Sequence, residues 1–161
     1  MIIIQSKIHV ARIGGMEIFN FLINPTDNEY QKWWPGTHLE FHNLRHNPRN
    51  IGNVVYMDEY VGKRRVKMTA IVIEAKPGKK ITWQFKKIIR LPIWLCLELD
   101  DDREGVAVTH TMKAGFESVR RILDVIFRVY LSDAFANAMD EHAKTEFPKL
   151  GDMLLSAETG I

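Results

Sequence analysis

An α+β fold, in which a curved antiparallel sheet wraps around a long C-terminal helix, follows from three features of this sequence. Apolar and polar residues alternate with period two through most of positions 37–114, the pattern of strands with one dry and one wet face. That stretch is broken only by short turn signals, which leave no room for the crossover helix that parallel pairing needs. Beyond about residue 119 the apolar positions recur at helical spacing instead. A sheet bent around a single late helix leaves a hollow between them, so this order of elements points to a container for a small molecule.

The elements can be justified one by one. Ile4, Ser6, Ile8 and Val10 alternate with Gln5, Lys7 and His9 in a first strand that Gly14-Gly15 ends. Met16 to Ile23 reads as a short helix stopped by Asn24-Pro25, because the residue before a proline avoids helical geometry. Thr26 or Asp27 caps a second short helix that runs to Trp33-Trp34 and ends at Pro35-Gly36. Strands are predicted near 37–44, 53–61, 64–76, 80–89, 94–101 and 105–114. The turns between them fall at Asn47-Pro48, Gly62, Pro77-Gly78, Leu91-Pro92 and Arg103-Glu104-Gly105. The last element is a helix over about 119–154, with Ile122, Val125, Ile126, Val129, Ala136, Met139, Ala143, Phe147, Leu150 and Leu154 facing the sheet and Pro148 kinking its final turns.

Composition narrows the function. A chain of 161 residues, 46% of them hydrophobic, suits one domain spanning 1–161 with a sizeable core. Its 22 basic and 20 acidic residues nearly cancel, so no whole-molecule field argues for nucleic acid. Cys96 is the single cysteine and sits in an apolar stretch, which excludes an intrachain disulfide and a Cys-based zinc cluster. The N-terminus has no basic leader before an apolar run, and no window has the roughly 18 apolar residues of a transmembrane segment. A cytoplasmic protein is the expectation.

Three stretches taken together resemble the polyketide cyclase/dehydrase branch of the START-like, or SRPBCC, superfamily. They are Tyr30-Gln31-Lys32-Trp33-Trp34-Pro35-Gly36, Glu74-Ala75-Lys76-Pro77-Gly78-Lys79-Lys80-Ile81-Thr82-Trp83 and Gly105-Val106-Ala107-Val108-Thr109-His110-Thr111. The resemblance implies a Bet v 1-like helix-grip fold, with seven antiparallel strands around the long helix, two short helices between the first two strands, and a ligand cavity. It does not imply one activity, because the superfamily spans carriers, cyclases and receptors.

The ligand-binding residues expected from register and resemblance are Trp34, Tyr56, Met68, Trp83, Leu97, His110, Phe135 and Met139. His110 shares its strand face with Val106, Val108 and Met112, where an imidazole offers a donor and an acceptor, or a proton-transfer group. The structural alternative is a core histidine satisfied by a backbone carbonyl. Trp33 and Trp34 cannot point the same way, so one plugs the core and the other stands near a cavity mouth. His38, His42 and His46 would form a metal stripe on a helix. Their flanking Pro-Gly and Asn-Pro pairs argue instead for a strand, with these histidines and Glu40 on the wet side and Leu39 and Phe41 on the dry one. No metal and no cofactor are therefore expected. The basic run around Lys76 to Arg90 reads as a solvated outer face, and phosphate loops and Gly-x-Ser-x-Gly elbows are absent.

The leading reading is a binding module for a hydrophobic small molecule such as a lipid, isoprenoid or polyketide-like ring system. An aromatase/cyclase or dehydratase using His110 is a second, and an interaction protein of the activator or quinone-chaperone type is a third. Leu123, Phe127, Leu131, Ala134 and Ala138 form a second apolar stripe on the long helix, and beyond Asp140 that side turns polar with Glu141, His142 and Lys144. The early helices, a second subunit in a homodimer, or a lipid surface would cover that stripe.

Overall fold

The computed structural model of the protein describes residues 1–115 and 131–159. Strand β1 (Ile2–Ala11) leads into helices α1 (Gly15–Ile23) and α2 (Asp27–Trp33). Strands β2 (His38–Arg45), β3 (Val54–Val61), β4 (Arg64–Lys76), β5 (Lys80–Lys86), β6 (Arg90–Asp101) and β7 (Gly105–Ala114) follow, and then helix α3 (Asp133–Thr159). The strands form one seven-stranded sheet in the order β1-β7-β6-β5-β4-β3-β2. Every neighbouring pair is antiparallel, as short connections demand.

Local chemistry sets the ends of the helices. Thr26 Oγ1 accepts the Glu29 amide and its hydroxyl donates to Glu29 Oε2, so the N-cap of α2 is satisfied and braced by one side chain. The α1 start is held from a distance, because the Gly15 amide donates to Asp101 Oδ1 at 2.6 Å, at the end of β6. A Cβ at Gly15 would lie 2.4 Å from the Gly78 carbonyl oxygen, so this close approach needs glycine.

Helix α3 delivers Met139, Ala143, Phe147 and Leu150 to the core, where they meet Ile81, Leu97, Val106 and Val108. Each large apolar side chain buried in this way stabilises the fold by about 1.5–3 kcal/mol. Gly151 lets the helix lie close on β1, since a Cβ there would come within 2.5 Å of Val10 Cγ1. No described helix is long and apolar enough to cross a membrane.

Two expectations change. The turn placed at Leu91-Pro92 falls at residues 87–89, and Pro92 lies inside β6. It is tolerated there because the β5–β6 ladder is irregular between Gln84 and Lys86, so the missing N–H breaks no regular pairing. The long helix does not run through 131 and 132. Ser132 precedes its first turn, with its carbonyl accepting the Ala136 amide, and α3 then continues past Pro148 to Thr159. The part expected over 119–130, including Leu123 and Phe127 of the second apolar stripe, lies outside the described residues. Within that stripe Leu131 faces a cavity, Ala134 is exposed and Ala138 lines a surface cleft.

Candidate functional site

Sheet and helix enclose a hollow in two parts. The outer cavity has a volume of about 540 Å³, with walls that include Val66, Leu91, Ile93, Leu131 and Phe135, and Arg64, Lys67, Lys86 and Lys87 among its lining. The inner one has a volume of about 50 Å³, reaches Trp33, Trp83, Leu97 and His110, and ends at Glu59, His142 and Glu146. Met68, Phe85, Met112 and Met139 border both and form the partition. Three of those four are methionines, whose unbranched side chains adapt to what they pack against.

The inner end is built by three elements. His38 and Glu59 are a cross-strand pair on β2 and β3, while His142 and Glu146 lie one turn apart on α3. All four are buried. His38 Nε2 stands 3.8 Å from Glu59 Oε2 and 3.5 Å from Glu146 Oε2. His142 Nε2 stands 3.7 and 3.4 Å from the same two oxygens. These separations exceed directed N–H···O bonds, so the attraction is coulombic.

Aromatic residues wall the cluster in. Tyr30 stacks on His38 with ring centroids 4.0 Å apart, and its hydroxyl donates to Glu59 Oε2. Trp34 stacks on His142 at 4.8 Å. Trp33 Nε1 donates to the Glu146 carbonyl at 2.6 Å and so ties α2 to α3.

Burial and charge compete here. Burial alone lowers the His142 pKa, yet the Glu146 and Glu59 carboxylates together outweigh it and push it up to about 10. Burial works to raise the Glu146 carboxyl, but His142 and His38 hold it below the usual carboxylate range. Tyr30 is raised well above an ordinary tyrosine, first by burial and then by Glu59 and Glu146. His110 is lowered, chiefly by burial, and its Nδ1 has no hydrogen-bond partner among the described residues.

The sequence-predicted residues divide between the two parts. Trp83, Leu97 and His110 line the inner cavity, Tyr56 and Phe135 the outer one, and Met68 and Met139 both. Trp34 lines neither. As the C-cap of α2, with φ −145° and ψ 86°, it turns outward over a surface cleft beside Thr37 and Tyr60, and Trp33 faces the hollow instead.

His38 also differs from its expectation, since it is fully buried on the same side as Phe41. A register shift between His38 and Glu40 breaks the period of two and turns His38 inward. His42 stays half-buried with Nδ1 2.8 Å from Asp27 Oδ1, and His46 is outside the cluster. His142, expected on the polar side of the long helix, lies in the sheet-facing seam with Met139 and Glu146. The signal that could have found this cluster is the i, i+4 pair His142 and Glu146, set between the apolar positions Met139, Ala143, Phe147 and Leu150.

A seven-stranded antiparallel sheet gripping a long terminal helix, with two short helices after the first strand, defines the START-like, Bet v 1-like helix-grip fold. No protein-family model matches the sequence, and no curated protein matches it. Among solved structures, the chain is similar to the protein TTHA0849 of Thermus thermophilus, at 11% identity and a TM-score of 0.68 over 97% of this chain and 99% of that one. It is similar to Ara h 8.0201 at 12% identity and a TM-score of 0.60, over 96% and 98%. It is also similar to an Aha1 protein, described as a dimer, from Colwellia psychrerythraea, at 15% identity and a TM-score of 0.53 over 91% and 98%. At these identities the likeness carries the fold alone.

Proposed function

We propose that this chain binds an amphipathic small molecule, with an apolar body and an acidic end, in the outer cavity between sheet and helix. The observation that carries this reading is the composition of the lining: apolar walls, four cationic side chains and, among the described lining residues, no carboxylate. The volume of about 540 Å³ suits one ligand of ordinary size. Lys67 already shares Asp58 at 3.4 Å, so Lys86 and Lys87 are the better placed to attract an anionic group. Lipid, isoprenoid or polyketide-like acids have the required shape.

A catalytic reading has one observation in its favour. His110 lines the inner cavity and its Nδ1 has no hydrogen-bond partner among the described residues, and an aromatase/cyclase or dehydratase would want a base there. Substrate would have to displace the methionine partition to reach it.

The test compares a long-chain fatty acid with the alcohol of the same chain length by calorimetry on the full chain. The acid is expected to bind about five- to tenfold more tightly, a difference that shrinks with salt. Equal affinities would remove the acidic end from the proposal, and no binding of either would remove the ligand. Native mass spectrometry of protein from its own cells would identify the natural occupant.

A further inference from the structure

We propose that His38, Glu59, His142 and Glu146 form a binding site for one zinc-type divalent cation, which clamps β2 and β3 to α3 at the closed end of the hollow. This does not rest on the ligand reading, because the outer cavity and the cluster share no side chain.

Donor type and number fit such an ion. Two imidazole nitrogens and two carboxylate oxygens, one from each residue, lie within 4.8 Å of one another, and all four residues are buried. Four nitrogen and oxygen donors are what tetrahedral zinc takes in a closed site.

Their spacing fits as well. With bonds of roughly 2.0–2.2 Å, the ligand atoms of a zinc tetrahedron stand roughly 3.3–3.6 Å apart. The four nitrogen–oxygen separations are 3.4, 3.5, 3.7 and 3.8 Å. The other His–carboxylate pairs among the described residues close to direct contact. His9 and Asp102 stand at 2.9 Å, His42 and Asp27 at 2.8 Å, and Asp58, the neighbour of Glu59, takes Arg65 at 2.7 Å. In the buried cluster, by contrast, four His–carboxylate pairs all stand off together, as donors do when they face a common centre.

The imidazole nitrogens also lack partners. His38 Nε2 and His142 Nε2 are buried, point at the carboxylates and have no hydrogen-bond partner among the described residues. His38 Nδ1 is also without one. Attraction to the carboxylates across 3.4–3.8 Å gives neither Nε2 a directed bond, and metal ligation would supply one to each.

Charge balances too. Ligation displaces any proton on the imidazole nitrogens, and two carboxylates with two neutral imidazoles then carry a net charge of −2, which one divalent cation cancels inside a buried site. Tyr30 supplies the outer layer, because its hydroxyl donates to the ligating Glu59 oxygen and fixes its direction.

The experiment uses the full chain, stripped with a chelator and titrated with Zn²⁺ and with Co²⁺ near neutral pH. One equivalent of Zn²⁺ per chain and the intense visible absorption of tetrahedral Co²⁺ are expected. Glu146→Gln and His142→Gln should each weaken uptake by more than about 100-fold, since even an outer-layer partner is worth about 10–100-fold. His42→Ala, in the half-exposed group with Asp27 and Glu40, should leave uptake unchanged. Absence of uptake, a weak octahedral Co²⁺ spectrum, full uptake by Glu146→Gln, or loss of uptake in His42→Ala would each overturn the site. Should the ligand variants fail to fold, Tyr30→Phe decides. It keeps all four ligands and should lower affinity about 10–100-fold at unchanged stoichiometry, whereas unaltered affinity would refute the geometry.

Discussion

The two ends of the hollow solve opposite problems. The outer cavity is wide, apolar and lined with cations. The inner end is nearly filled, and its charges face one another inside a wall of Tyr30, Trp33 and Trp34. Apolar walls hold by area and tolerate changes of shape, so the outer part can adapt to an occupant. Buried charges hold only in one arrangement, because any displacement leaves a carboxylate or an imidazolium uncompensated. Cluster and cavity are therefore expected to contribute separately, the first to stability and the second to the ligand binding proposed above.

Substitutions put that separation to the test. The largest effect is expected at the inner end. Glu146→Leu leaves Glu59 facing two imidazoles and should cost about 3–5 kcal/mol in urea unfolding. A loss below about 1 kcal/mol would mean that the cluster is not a structural unit. Met139→Ala removes part of the partition and should cost about 2–3 kcal/mol, toward the lower end for methionine because its surroundings are already hollow. It should also let a bulkier amphiphile bind, which calorimetry on a ligand series would detect.

Third in size, Lys86→Glu together with Lys87→Glu should weaken fatty-acid binding by about tenfold and reverse its salt dependence. Unfolding free energy should change little, so a large loss of stability here would erase the distinction between the two regions.

The smallest effect lies outside both. Lys76 and Lys80 hold the Glu74 carboxyl down to about 2 from an ordinary 4.5. Its contribution is therefore complete above pH 4.5 and is lost as the pH falls through 2. Glu74 is partly exposed and screened, so Glu74→Gln should flatten the acid limb of the stability curve only slightly. An acid limb that vanished altogether would show that this surface, and not the inner cluster, controls acid unfolding.

The sheet is legible in the sequence because alternation reports directly on which face is buried. Ile81, Trp83 and Phe85 read as inward and are buried. The cluster is not legible, for three local reasons. The bulge after His38 shifts it by one position, and a strict period of two then assigns it to the wrong face. His142 and Glu146 sit in the apolar seam of α3, where a charge-based reading treats polar residues as solvent-facing. Trp34 follows the last residue of α2, and its non-helical backbone takes it off the direction that a helix would give. Each miss occurs where an element ends, slips or buries charge, and periodicity is silent at such points.

The position of β1 has a consequence for how the chain assembles. Every other strand lies beside its sequence neighbour, whereas β1 lies beside β7 alone. Gln5 bonds Thr111 across 106 positions. During synthesis at about 5–20 residues per second, β1 therefore waits roughly 5–20 s for its partner to emerge, and α3, which packs on β1, comes later still. Loop closure of that length slows folding far more than it lowers final stability. The strand that includes Ile2, Ile3 and Ile4 is thus made well before its partner and sheltered late, and its longest exposure is set by the order of translation.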